Sequence, residues 1–272
     1  GGAPVLQEVL SGTTEQLWHE SPQGLTSRDL AMNVVLPEVD GRVFSRAISF
    51  KAASEYDADV ECNFVSHKIR PDRVAFVAEL AANWVRLAET APANRKIAII
   101  LANYPNKDGR MANGVGLDTP AGTIEVLRAL ASAGYETGET PADGDALMRL
   151  LSVGVTNAAA HVRVIREVLS LNDYNGFFQS LPKSIQEKVS LRWGSPDADP
   201  FFQAELGFTL PLLRFGNVIT GIQPARGYNI DPKDTYHSPD LVPPHGYFAF
   251  YFHLRSAANV HAVIHMGKHG NL

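Results

Sequence analysis

The sequence predicts an α/β fold, with mostly parallel sheets flanked by helices and two α/β units separated by a helical excursion. Three observations predict it. Arg95 to Ala102 is a short, nearly unbroken apolar run, the pattern of a parallel strand buried on both faces. Between Asp72 and Thr90, Val74, Val77, Ala81, Trp84, Val85 and Ala88 recur at three- and four-residue spacing, the period of an amphipathic helix. Val260 to Met266 alternates apolar and polar residues with period two, the pattern of a strand. The expected units are 1–94 and 95–272, the second interrupted by a helical insertion at 151–200.

Composition narrows the function. The 272 residues are 45% hydrophobic, enough for one large domain or two modest ones. A net charge of -5 and the absence of any lysine or arginine run remove the electrostatic footprint of a nucleic-acid binder. The longest apolar runs, such as Ile97 to Ala102, fall far short of the ~20 residues of a membrane span, so neither nucleic acid nor membrane is an expected partner. The single cysteine, Cys62, excludes an internal disulfide and any CxxC metal site, and it suits a reducing, cytoplasmic setting. Leu272 follows directly on the most unusual motif of the chain, which suggests a piece of a longer polypeptide.

In chain order, Val5 to Leu10 reads as a strand, followed by the turn Ser11-Gly-Thr-Thr14 and a short helix to His19. Thr26 or Ser27 can cap the next turn. Asn33 to Leu36 reads as a buried strand closed by Pro37, and with a strand from Val43 to Phe50 it forms a hairpin-like unit with Asp40 and Arg42 at its tip. The helix over 72–90 places Trp84 in the core. The strand at 95–102 enters a Gly/Asn-rich loop, 103–122, and then a helix from Thr119 to Ala133 capped by Asp118 or Thr119. That arrangement aims backbone N–H groups at a ligand. It is not a nucleotide loop, because Gly114-Val-Gly116 lacks a third glycine and no Gly-Lys-Ser/Thr occurs.

Further helices are expected at 143–151 and 161–171, and one opened by a Ser184 to Glu187 capping box and ended by Gly194. Phe208 to Leu213 and Asn217 to Gln223 read as strands. Gly246 to Ala257 reads as a helix with Phe248 and Phe252 on one face and Tyr247, Tyr251 and Arg255 on another. The final strand puts His261, Val263 and His265 on one side, and Gly267 to Gly270 then makes a tight loop at its carboxyl end, where open α/β sheets bind ligands.

Six of the nine histidines lie between His237 and His269. A lone histidine is ordinarily a satisfied structural residue, but His265 and His269 flank a strand-to-glycine-loop corner. Two neutral imidazoles can hold a divalent metal, or one can act as a base near pH 7. A zinc-hydrolase reading lacks the glutamate of His-Glu-x-x-His.

The segment from Ala262 through Met266-Gly-Lys-His-Gly-Asn-Leu272 resembles the signature of the large subunits of the class I tetrapyrrole metal chelatases, the CobN/magnesium-chelatase H family. Phe215-Gly-Asn-Val-Ile-Thr-Gly-Ile-Gln-Pro224, Gly227 to Pro232, Pro243-Pro-His-Gly-Tyr-Phe-Ala249 and Asn103-Tyr-Pro105 add to the resemblance, and Leu30 to Arg42 looks like its cobalt branch. Where the magnesium branch has Phe-Gly-Thr-His-Gly-Ser, this chain has Met266-Gly-Lys-His-Gly-Asn271. The resemblance implies a cytoplasmic, ATP-dependent cobaltochelatase, a ligase forming nitrogen–metal bonds, that inserts Co2+ into hydrogenobyrinic acid a,c-diamide in aerobic cobalamin (vitamin B12) biosynthesis. It further implies that ATP and Mg2+ are bound on separate AAA+ type ATPase subunits, and that this piece alone is inactive. His265 and His269 are then the expected catalytic and metal-delivering residues. Lys268, Arg226 and Arg110 are expected to meet substrate carboxylates, Tyr247 and Tyr251 to stack on the ring, and Asn103 to bind substrate. Two alternatives stay open: magnesium insertion into protoporphyrin IX, and a non-catalytic scaffold docking the ATPase subunits.

Overall fold

A computed structural model describes residues 2–52, 54–103, 111–112, 114, 116–158, 163–227 and 241–267. The chain forms two compact units, Gly1–Glu89 and Thr90–Leu272. Among the described residues no helix is long and apolar enough to cross a membrane.

The first unit is built on a parallel pair, β1 (Leu6–Thr14) and β2 (Val43–Lys51). A parallel pair needs a crossover, and helices supply it. Thr14 Oγ1 accepts from Leu17 N to start α1 (Glu15–Glu20), and Thr26 Oγ1 accepts from Asp29 N to start α2 (Ser27–Leu30). The helical run continues through a π-turn, Ala31–Val35, into α3 (Leu36–Val39). Asn33 to Leu36 is therefore helix, not strand, and no hairpin forms. Pro37 fits because the π-turn just before it already breaks the regular hydrogen-bond ladder that proline cannot join. Val34 from this run joins Val9, Ala47 and Phe50 in the core. A short hairpin of β3 (Glu55–Asp57) and β4 (Cys62–Phe64) follows, then β5 (His67–Ile69), antiparallel to β2, and the long α4 (Pro71–Glu89). Trp84, expected in the core, is 37% exposed.

The second unit is organised by β6 (Ile97–Leu101), every residue of which is buried. Asp118 caps α5 (Thr119–Ser132) by accepting from Ala121 N, and Asp143 caps α6 (Gly144–Val153) in the same way. The stretch expected as a helix over 161–171 carries a strand, β7 (Glu167–Leu169), and Ser170 then caps α7 (Leu171–Ser180). The apolar positions Val164, Ile165, Val168 and Leu169 suit either period, and the Ser170 cap sets where helix can begin. α8 (Lys183–Trp193) starts after Pro182 with no side-chain cap, so the capping box does not form; Gln186 Nε2 donates to Leu181 O instead.

Pro211 divides the apolar run 208–213. Before it, β8 (Phe202–Gln203) and β9 (Gly207–Leu210) pair with each other, and β9 also pairs with β7. After it, β10 (Leu212–Phe215) and β11 (Val218–Ile222) form a hairpin in a different sheet. α9 (His245–Phe252) runs into a π-turn, His253–Ala257, and then β12 (Ala262–Met266). The main sheet has the order β10-β11-β6-β12, with β11 and β12 both parallel to β6.

Alternation along β6 fills both faces. Ile97, Ile99 and Leu101 pack with Ile124, Leu127, Leu147 and Leu151 of α5 and α6. Ala98 and Ile100 pack with Phe250 and Leu254, and with Tyr174 and Val189 of α7 and α8. Each such aliphatic side chain contributes about 1.5–3 kcal/mol of transfer free energy, which is why this strand can carry a site at its end without flexing.

Buried polar groups in this unit are mostly paired. His245 Nε2 donates to Gly194 O at 3.0 Å, so Nδ1 accepts from the Tyr174 hydroxyl at 2.6 Å. Burial pushes the His245 pKa below its ordinary 6.5. The unfolded ring therefore binds its proton more tightly than the folded one, and stability from this site is present above about pH 6.5 and lost as the pH falls below it. The unfolding midpoint of this chain is expected to fall between about pH 7 and 5, and to fall less steeply in His245→Gln. Equal slopes for the two proteins would remove His245 as the cause.

Candidate functional site

Because β11 and β12 flank β6 in parallel, their carboxyl ends open on one edge. The chain leaves β6 to reach β11 on one side and crosses to β12 on the other, which makes the gap between β6 and β12 a topological switch point, the place where open α/β sheets bind ligands. A small cleft lies there, lined by Ile100, Ala102, Gln223, His265, Met266 and Gly267. It can take the reacting edge of a large ligand but not its whole body.

His265 pairs with Ile100 across the sheet, on the face that α9 covers. Its ring lies 6.4 Å from that of Tyr251, at an interplanar angle of 31°. The side chain stays accessible at the cleft, and partial desolvation lowers its pKa below 6.5, so the imidazole is neutral at pH 7 and offers a lone pair to a proton or a metal. Gly267 is required where β12 ends: a methyl group there would overlap the Ala102 methyl at the end of β6. The glycine lets the two strand ends close, and His265 is held two residues from that contact.

Tyr247 and Tyr251, one helical turn apart on α9, pack with ring centroids 4.9 Å apart. Burial raises both phenols above their ordinary value, and the Arg226 guanidinium tempers the rise at Tyr247. They stay protonated as hydroxyl donors. Gln223 Nε2 donates to the Tyr251 hydroxyl at 3.4 Å. Gln223 itself is positioned from far away in sequence: Asn157 Nδ2 donates to Gln223 O at 2.8 Å while Asn157 Oδ1 accepts from Ala225 N at 3.0 Å.

The structure thus brings His265, Tyr251, Tyr247 and Gln223 together, with Arg226 near Tyr247 and donating through Nη2 to Leu241 O at 3.2 Å. Asn103 follows the cleft-lining Ala102. Lys268, His269 and Arg110 lie outside the described residues, as does His237. The remaining clustered histidines are drawn elsewhere. His245 belongs to the Tyr174 pair, and His261, which precedes β12, accepts from Lys96 N through Nδ1 at 2.9 Å. His253 Nε2 sits 3.4 Å from Glu167, whose carboxyl is held at about 2 by His253 and by the Arg214 guanidinium. Among the described residues no three His, Cys, Asp or Glu side chains are grouped to hold a metal. Gln223 and Asn157 are site residues that sequence reasoning missed. A polar residue ending an apolar strand run was the available signal for Gln223; nothing local marks Asn157.

A family model described as CobN/Magnesium Chelatase matches residues 1–272. The chain belongs to the CobN/magnesium chelatase family. It is 65% identical over 271 residues to the aerobic cobaltochelatase subunit CobN of Sinorhizobium sp, covering 100% of this chain and 21% of that protein. It is 48% identical to the aerobic cobaltochelatase CobN protein of Pseudomonas aeruginosa, covering 99% of this chain and 22% of that one. With the magnesium-chelatase H protein of Chlorobaculum parvum the identity is 27%, over 94% of this chain and 19% of the relative. Among solved structures, the catalytic subunit of cobaltochelatase from Mycobacterium tuberculosis matches with a TM-score of 0.81 at 34% identity, over 99% of this chain and 22% of that chain. The chain spans about a fifth of the length of these family members.

Proposed function

We propose that this chain is the part of a cobaltochelatase large subunit that carries the histidine edge of the macrocycle pocket, where Co2+ enters hydrogenobyrinic acid a,c-diamide during aerobic cobalamin synthesis. The observation that carries the reading is His265, a neutral, accessible imidazole at the carboxyl end of a switch-point strand, beside two largely buried tyrosines. Insertion requires that the ring nitrogens lose protons and the hydrated metal lose water. A neutral imidazole in a partly desolvated cleft can serve either need, and on this reading His265 and His269 share them. Tyr247 and Tyr251 form the aromatic wall, while Arg226, Lys268 and Arg110 meet peripheral carboxylates. ATP hydrolysis with Mg2+ falls to separate AAA+ type subunits, in keeping with a sequence that carries no phosphate loop. Higher identity to the CobN proteins than to the magnesium-chelatase H protein favours cobalt.

An absorbance titration of the intact large subunit with hydrogenobyrinic acid a,c-diamide, using protoporphyrin IX as competitor, tests which macrocycle the pocket takes. Saturable corrinoid binding that the porphyrin does not displace is the expected result. Preference for the porphyrin would overturn the cobalt assignment.

A further inference from the structure

The first unit, Gly1–Glu89, has a thin core for its size. Among the described residues its buried apolar cluster consists of Val9, Ala47 and Phe50, and the long α4 contributes no fully buried side chain. Other apolar residues of the unit point outward, and along the helical run 31–39 they do so in a regular pattern. Val34 packs against the core and Pro37 is buried, while Met32, Val35, Leu36 and Val39 are each more than half exposed. Their spacing of three and four residues places them in one stripe on the solvent side, where an amphipathic helix ordinarily carries its charges. Glu38 is the sole charged residue from Leu30 to Val39. A contiguous apolar stripe of this kind marks an interaction surface.

We infer that Met32, Val35, Leu36 and Val39 form a docking face that is permanently covered by an apolar face from the remainder of the same large-subunit polypeptide. Two observations choose this occupant. The chain spans about a fifth of the CobN relatives, so most of the polypeptide of such a subunit is available to cover the stripe. The stripe is also unbroken by charge, the character of an obligate interface, whereas a subunit that binds and leaves meets a surface with polar groups interspersed. A unit with so few buried side chains needs cover that stays in place. The inference rests on family membership and length, and is independent of the chemistry read at His265.

The test reads Met32, the oxidisable member of the stripe, in the intact large subunit alone, at a dilution where sedimentation shows a monomer. Dilute hydrogen peroxide is the probe. Mass spectrometry follows sulfoxide formation at Met32 against the same protein unfolded in guanidinium, and against the buried Met111 as an internal standard. Met32 is expected to oxidise about tenfold more slowly than in the unfolded chain, close to Met111. Val39 is 79% exposed, so Val39→Lys leaves the unit's own core intact; it is expected to restore most of the Met32 rate while Met111 stays protected. If Met111 loses protection as well, the variant has unfolded, and Val39→Ser, which adds no charge, takes its place. Met32 oxidising at the unfolded rate in the monomer overturns the inference. Protection that survives both substitutions overturns it too, because Met32 would then be covered without the stripe. Protection that appears only on adding the ATPase subunits, or only as the subunit self-associates, assigns the stripe to a separate subunit or to a second copy and overturns it equally.

Discussion

Replacing His265 with alanine in the intact large subunit is expected to lower cobalt insertion by about a hundredfold or more, while affinity for the macrocycle changes by less than about threefold. The ring is at the cleft, neutral at pH 7, and paired through β12 with β6, every residue of which is buried. Alanine keeps the strand and its register and removes only the group that accepts a proton or metal. Binding should survive because the tyrosine wall stands on a different element, α9. Single-turnover insertion and an absorbance titration on the same preparation separate the two effects. Unchanged turnover would take His265 out of the chemistry, and a parallel loss of binding would make it a wall residue.

The second large effect is expected from a single methyl group. Gly267→Ala should destabilise the second unit by about 1–3 kcal/mol, the cost of overpacking a well-filled contact. The new Cβ would overlap the Ala102 Cβ, and since both are anchored on backbone, neither can rotate away. The ends of β6 and β12 must spread, and the cleft with them. Ala102→Gly in the same chain removes the overlap but leaves alanine at φ +154°, a backbone conformation that L residues rarely adopt, so the double variant should recover only part of the lost stability. Denaturant unfolding of the four proteins of this cycle measures it. Additive losses, with no recovery in the double variant, would show that the strand ends do not meet as described.

Much of the second unit was legible from local patterns. The unbroken apolar run at 97–101 could be stable only with parallel neighbours and covered faces, and Asp118 and Asp143 announced their helices by supplying an oxygen to unpaired N–H groups. Period two along 262–266 gave the correct split of Val263 and His265 from Ala262, Ile264 and Met266. The tyrosines and phenylalanines of α9 were separated onto two faces by the same reasoning, and the structure sends Phe252 to stack on Phe177 while Tyr251 turns toward His265.

The misreadings share a cause. Asn33 to Leu36 has strand-like composition, yet the Thr26 cap and the place of Val34 in the core make it helical. The run 208–213 was one strand by hydropathy, but Pro211 sends its halves into two sheets. Trp84 has core character but lies partly exposed. In each case a weak local preference met a stronger packing or backbone constraint.

The sequence by itself determined the fold class, the central strand, and the strand that carries His265, because these depend on periodicities of a few residues. Only the tertiary structure decided which histidines serve the site: His245, His253 and His261 are each captured by a partner far away in the chain, namely Tyr174, Glu167 and Lys96. It also decided that Asn157 aligns Gln223 across 66 residues and that Asn103 is left open among the described residues. A hydrogen bond is set by distance in space, and residues far apart in the chain acquire that distance only when the sheet has brought them to one edge.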